Sequence, residues 1–152
     1  KKKIAYIGVT RDDRAVGQER EDGFRAGLLE AGIVLPEELY GLSEFSVESG
    51  YRQAKAILEK NSDIDIISCA TDTIAAGAME ALKECKKERR EKVKVTGFGD
   101  NQFLKAVSEG ITTVHFYSKT SGLQAAEMLL DIIEEGHQVP IRMKLGYQIM
   151  EH

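Results

Sequence analysis

The sequence has no tryptophan, two prolines, two cysteines and three histidines in 152 residues. Each scarcity excludes something. Cys69 and Cys85 are too few for a disulfide framework and lack the CxxC spacing of a metal site. They read as reduced thiols of a cytosolic protein. His115, His137 and His152 are scattered and form no ligand set. Positive charge is also short, with 21 Lys and Arg against 25 Asp and Glu. A net charge of −4 does not suit gripping a phosphate backbone. No apolar run approaches the roughly 18 residues that span a bilayer, and no secretory pattern opens the sequence. GxGxxG and GxxxxGK[ST] are missing, as are a nucleophile elbow and a His-centred triad.

What is present is a regular alternation. Hydrophobic residues make up 42% and charged residues 30%, enough for one soluble domain with a core. Strand patterns fall at 3–9, 38–42, 65–69, 93–98, 112–114 and 142–150. Helix patterns fall at 16–31, from the cap Ser46 to 60, after Asp72, at 102–108 and at 120–135. Gly32 and Gly136 close two of the helices. Strand and helix alternate to the end, which predicts an α/β fold: a parallel sheet with helices on both faces. The run "KECKKERREK" reads as the solvated end of a helix and its loop.

Ligands of an open parallel sheet collect beyond the carboxyl ends of its strands. Here those ends are 10–14, 42–45, 70–73, 99–101 and 115–118. Arg20 lies on the apolar stripe of the first helix with Val16, Phe24, Leu28 and Ala31. An internal ion pair, solvent reached by snorkelling, or a ligand must satisfy it. Thr71 and Asp72 open the third helix, where they cap its free N–H groups or face a ligand. Gly99 lets backbone approach closely or takes a turn conformation. Phe45, Phe116 and Tyr117 offer rings that stack on a sugar or simply pack. Asp72 and Asp100 together are a carboxylate pair for hydrolysis or a metal, without a third group to support either.

Four stretches, "KKKIAYIGV", "GQEREDGFRAGL", "SCATDTIAAGAMEAL" and "VKVTGFGDNQFLKAVSEGITTVHFYSKTSGLQAAEMLLDII", resemble in order and spacing the LacI/GalR family of bacterial transcription regulators. The resemblance runs from Lys2 to about Met150. It implies the periplasmic-binding-protein-like fold, with residues 1–152 as the C-terminal part of the effector-binding and dimerisation core. The helix-turn-helix domain and most of the N-terminal lobe would then lie outside this chain. It also implies that Arg20, Phe45, Thr71 and Asp72 contact the effector; Gly99, Asp100, Phe116 and Tyr117 join them as candidates by their place at the strand ends. Gly99 stands where the family's Gly-Phe-Asp-Asp motif has its first Asp, which removes a sugar-binding carboxylate and makes room for another ligand shape.

"CATDT" and "TTVHFYSKTSG" look most like the sucrose and trehalose operon repressors. The function so implied is a cytoplasmic repressor that binds a sugar or sugar phosphate and needs no cofactor. It would be a homodimer, with Ala76, Met79, Leu104 and Val107 at the interface, and would reach operator DNA only through the missing domain. Two other readings stand beside it: an extracytoplasmic sugar-binding protein of the same fold, and a small α/β enzyme using Asp72 and Asp100.

Overall fold

The computed structural model describes residues 2–102, 111–136 and 139–152. The elements, in chain order, begin with β1 (Ile4–Gly8), a π-helical turn (Arg14–Glu19), α1 (Arg20–Glu30), a 3-10 turn (Glu37–Leu39), β2 (Tyr40–Leu42) and α2 (Val47–Lys60). Then come β3 (Ile66–Cys69), α3 (Asp72–Lys83), α4 (Lys87–Lys92), β4 (Lys94–Thr96), β5 (Thr112–Phe116), a long helix here called α5 (Ser118–Glu135) and β6 (Tyr147–Glu151). The sheet order is β2-β1-β3-β4-β5-β6. The first five strands pair in parallel, and β6 runs antiparallel to β5. The expected parallel sheet is thus present in its first five strands, with one antiparallel strand added at the edge. The chain leaves the end of β5, runs out along α5 and re-enters beside that same end, so Tyr147 pairs with Phe116 and Glu151 with Thr112.

Alternation along the strands divides the residues between two faces. Ala5, Ile7, Ile67, Cys69 and Val95 point to the side of α2 and α3 and are buried with Ala54, Ile57, Ile74, Ala78 and Leu82. This is the core. The two helices approach closely because both contacts are glycines. A Cβ on Gly77 would lie 2.1 Å from the Val47 carbonyl oxygen, and one on Gly50 would lie 2.6 Å from that of Ile74. Tyr6, Ser68 and Thr96 point to the other side, in register with one another across β1, β3 and β4. There Phe24 of α1 stacks on Tyr6 with ring centroids 4.5 Å apart.

Local details differ from the sequence reading for identifiable reasons. The first helix begins earlier, as a π turn whose Val16 N–H donates to the Asp13 side chain. Its inward stripe is mixed. Leu28 is buried, but Ala31 is exposed, and Glu21 is buried instead. The Glu21 carboxylate accepts from Arg25 Nε at 2.7 Å and from the Tyr40 hydroxyl at 3.2 Å. The predicted second strand begins as a 3-10 turn after Pro36. The basic run forms its own short helix, α4, from which Arg89 donates to the carbonyls of Leu58 and Asn61. It therefore ties α4 to the end of α2 rather than lying free in solvent. The predicted helix at 102–108 falls, after Gln102, outside the described residues. Leu123, Leu129, Leu130, Ile132 and Ile133 of α5 are exposed.

Candidate functional site

The loops after β1, β3, β4 and β5 meet at one edge of the sheet, and a groove of about 670 Å³ opens there and runs down the α1 side. Its lining includes Arg20, Phe98 and Phe116, the neighbouring Glu19, and Tyr6 and Phe24.

Arg20 is the first residue of α1, and the π turn before it brings it over the strand ends. Its guanidinium donates from Nη1 to the Ala70 carbonyl at 2.6 Å. It sits 4.1 Å from the centre of the Phe98 ring and 5.6 Å from that of Phe116, and these two rings are 4.8 Å apart. Burial pulls its pKa below the ordinary value, while Tyr6, Asp13 and Asp72 pull it back. Rings and a peptide carbonyl thus hold one half-buried cation with N–H groups to spare.

Asp72 occupies a different environment, at 3% exposure. The Thr113 hydroxyl donates to its Oδ1 at 2.6 Å, and the Asn101 N–H donates to its Oδ2 at 2.6 Å. Its own N–H donates to the Phe98 carbonyl. Thr71 caps α3, accepting from Ile74 N–H at 3.3 Å. Asp100 is drawn inward too. Its N–H donates to Thr113 Oγ1, and its carboxylate oxygens lie 2.6 Å from His115 Nδ1 and 3.0 Å from His152 Nε2. Gly97 has no room for a side chain, since a Cβ there would lie 2.2 Å from Asp72 Oδ1. Gly99 takes φ +137°, and its N–H donates to the Val114 carbonyl.

The structure therefore joins Arg20 and Phe116 in one groove and joins Asp72, Gly99 and Asp100 in a separate brace behind it. Phe45 is exposed after β2, away from the groove lining. Tyr117 is also exposed, donating to Gln148 Oε1 at 3.3 Å and meeting His115 edge-on. Ala76 and Met79 are half-buried against the core, while Leu104 and Val107 lie outside the described residues. Sequence reasoning missed Phe98 as a ring over Arg20, and Thr113 and His115 as partners of the acids. Period-two alternation already puts Thr113 and His115 on one face of β5, and that was the available signal.

Neither Asp72 nor Asp100 lines the groove, so the pair is not arranged for catalysis on a ligand there. Among the described residues no group of three or more His, Cys, Asp or Glu could hold a metal ion, and no helix is long and apolar enough to cross a membrane.

Residues 1–151 match the model of the periplasmic binding protein-like domain. The chain belongs to that family. Its periplasmic-binding-protein-like relatives include LacI-type regulators. The HTH-type transcriptional regulator RegA of Clostridium saccharobutylicum is 34% identical over 150 residues, which is 99% of this chain and 45% of that protein. The solved complex of the transcriptional regulator CelR with cellobiose is 28% identical and superposes with a TM-score of 0.86, covering 98% of this chain and 45% of that one. A periplasmic ribose ABC transporter from Conexibacter woesei shares the fold at 19% identity, with a TM-score of 0.82 over 99% of this chain and 50% of that one. The chain thus spans less than half of RegA and of the CelR chain, both transcriptional regulators.

Proposed function

We propose that this chain is the effector-sensing part of a LacI-type repressor of a sugar-utilisation operon, working in the cytoplasm as a homodimer. A sugar, free or phosphorylated, meets the strand ends at Arg20, Phe98 and Phe116. Its binding is coupled to operator affinity through a helix-turn-helix domain elsewhere in the full-length protein. The observation that carries this reading is the guanidinium over the Phe98 ring, with Phe116 beside it, in the lining of a groove at the strand ends. Ring faces suit the C–H face of a sugar, and a fixed N–H fork suits its oxygens. The cellobiose bound in the CelR complex supports a sugar as the ligand class. Thr71, Phe45 and Tyr117 stand at the outer rim, where a larger ligand would reach them. Asp72, Gly99 and Asp100 act by holding the rim in shape.

The test is calorimetric titration of the full-length regulator against a panel of sugars and sugar phosphates, with operator binding followed in parallel. A member of the panel is expected to bind and to shift operator affinity, and Arg20→Gln is expected to lose both effects. Failure of every sugar to bind would remove the reading.

A further inference from the structure

A second polar cluster lies on the β2 side of α1, outside the groove. Glu21 follows Arg20 on the helix and is 4% exposed, which is rare for a carboxylate unless it is paired. Three elements supply its partners. Arg25 of the same helix donates from Nε to Oε1 at 2.7 Å, and the Tyr40 hydroxyl of β2 donates to Oε2 at 3.2 Å. Arg11, in the loop after β1, places Nη1 3.5 Å from Oε2 and also donates to Asp22 at 3.0 Å. The Arg25 guanidinium lies 5.4 Å from the centre of the Tyr40 ring. Glu21, Arg25, Tyr40, Arg11 and Asp22 are all outside the groove lining.

Successive residues of a helix point about 100° apart. Across the sheet order β2-β1-β3, Glu21 reaches one way to Tyr40 of β2, and Arg20 reaches the other way to the Ala70 carbonyl beyond β3. Phe24 stacks on Tyr6 of β1 between them. The rest of α1 has little grip. Glu21 and Leu28 are its two buried residues among eleven, and Gly23 and Gly27 have open space where a side chain would be. We infer that Glu21 is a positioning residue: tied to β2, it sets the rotation of α1 and so holds the Arg20 guanidinium over the Phe98 ring. This rests on the sugar-sensor reading for its use and deepens it, because Glu21 then acts on the ligand site without touching a ligand. A buried carboxylate that parts from its donors is costly, so rotation of α1 away from Tyr40 is disfavoured. Burial, and then the Glu21 charge, raises the pKa of the Tyr40 phenol, which keeps the donor proton in place.

The experiment uses the full-length regulator, isotope-labelled at arginine and without ligand. The Arg20 guanidinium lies 4.1 Å from the centre of the Phe98 ring, so the ring current should shift its Nε–H signal in the NMR spectrum. Arg20→Gln identifies that signal by removing it, and Phe98→Leu gives its position without the ring. Tyr40→Phe keeps the ring and removes the β2 donor. Glu21→Gln keeps the shape and removes the charge that Arg11 and Arg25 meet. Both are expected to move the Arg20 signal toward its Phe98→Leu position. Both should also speed amide exchange in α1 about tenfold, the scale of a lost hydrogen bond to a charged group, with exchange in α3 unchanged. An Arg20 signal that stays put in both variants would overturn the inference even if both melt earlier, since Glu21 would then stabilise without positioning. Equal acceleration in α1 and α3 would also overturn it, because that reports a global loss of stability. If Glu21→Gln does not fold, Tyr40→Phe decides alone. Failure of every sugar to bind would end the sugar-sensor reading but leave the Arg20 signal to judge Glu21.

Discussion

Two polar residues begin helices at neighbouring strand ends, and they have opposite fates. Arg20 opens α1 and stays half-buried in a groove, held by two rings and one carbonyl. Asp72 opens α3 and disappears into the protein, both oxygens occupied by donors from the loop after β4 and from β5. In sequence both look like ligand contacts. The difference lies in the neighbours. α3 packs beside α2 over strands with small and aliphatic side chains, so its first turn sits deep and meets β5. α1 stands on the hydroxyl-bearing side, where a groove remains. A strand-end acid can thus be engaged by the fold itself, as Asp72 is by Thr113 and Asn101.

The largest effect should come from breaking the brace. Gly97→Ala would put a Cβ 2.2 Å from Asp72 Oδ1. A loss of about 3 kcal/mol in a urea melt is expected, since neither the carboxylate nor the backbone can yield without losing its partners. A melt within experimental error of the parent would mean the brace is loose and Asp72 free to face a ligand. Thr113→Val is the milder version. It keeps the shape but removes the donor to Asp72 and the acceptor for the Asp100 N–H. About 1–3 kcal/mol should be lost, with ligand affinity changing less than stability does.

Arg20→Gln should show the reverse pattern. Stability should drop by no more than about 1 kcal/mol, the scale of a cation–π contact, while calorimetry shows the effector response gone. Equal losses of stability and binding would make Arg20 part of the brace and erase the contrast between the two regions.

The smallest effect concerns Tyr6, whose hydroxyl is buried beside the groove without a hydrogen-bond partner among the described residues. Tyr6→Phe should change neutral-pH stability by less than about 1 kcal/mol, and toward greater stability if anything. Burial raises the pKa of this phenol, with Glu21 and Tyr40 adding to it, and raises that of the Cys69 thiol as well. The unfolded chain therefore releases these protons first. The stability tied to the two groups is complete below their ordinary values of 9.0 and 10.0 and is lost as pH rises above them. Urea midpoints should fall from pH 9 upward, and Tyr6→Phe should flatten part of that slope. An unchanged slope would show that Tyr6 is not shielded on the groove side.

Much of the fold was legible because periodicity is a local signal. The first, third and fifth strands and the helices from Val47, Asp72 and Ser118 fall close to where the apolar pattern puts them. Ser46 and Thr71 cap as their residue types predict, and Gly136 closes α5 in the left-handed conformation. What failed was long-range. The direction of β6 depends on where α5 delivers the chain, and Arg89 finds carbonyls on an element about 30 residues away. In the site, Arg20 and Phe116 could be picked out by position and residue type. The withdrawal of Asp72 and Asp100 could not, because their partners Thr113, His115 and His152 lie tens of residues away.

The sequence by itself determined the alternating α/β class, the caps, the core residues and the family, since each rests on short-range pattern or on residues read in order. The tertiary structure decided which charges remain available. A carboxylate and a guanidinium carry the same information in the chain wherever they stand. Only the packing of α3 against β5, and the groove left beside α1, engaged the carboxylate within the protein and placed the guanidinium in the lining of a groove. The physical reason is that a buried polar group takes whatever partner the fold brings within hydrogen-bond reach, and that partner is chosen by topology rather than by sequence distance.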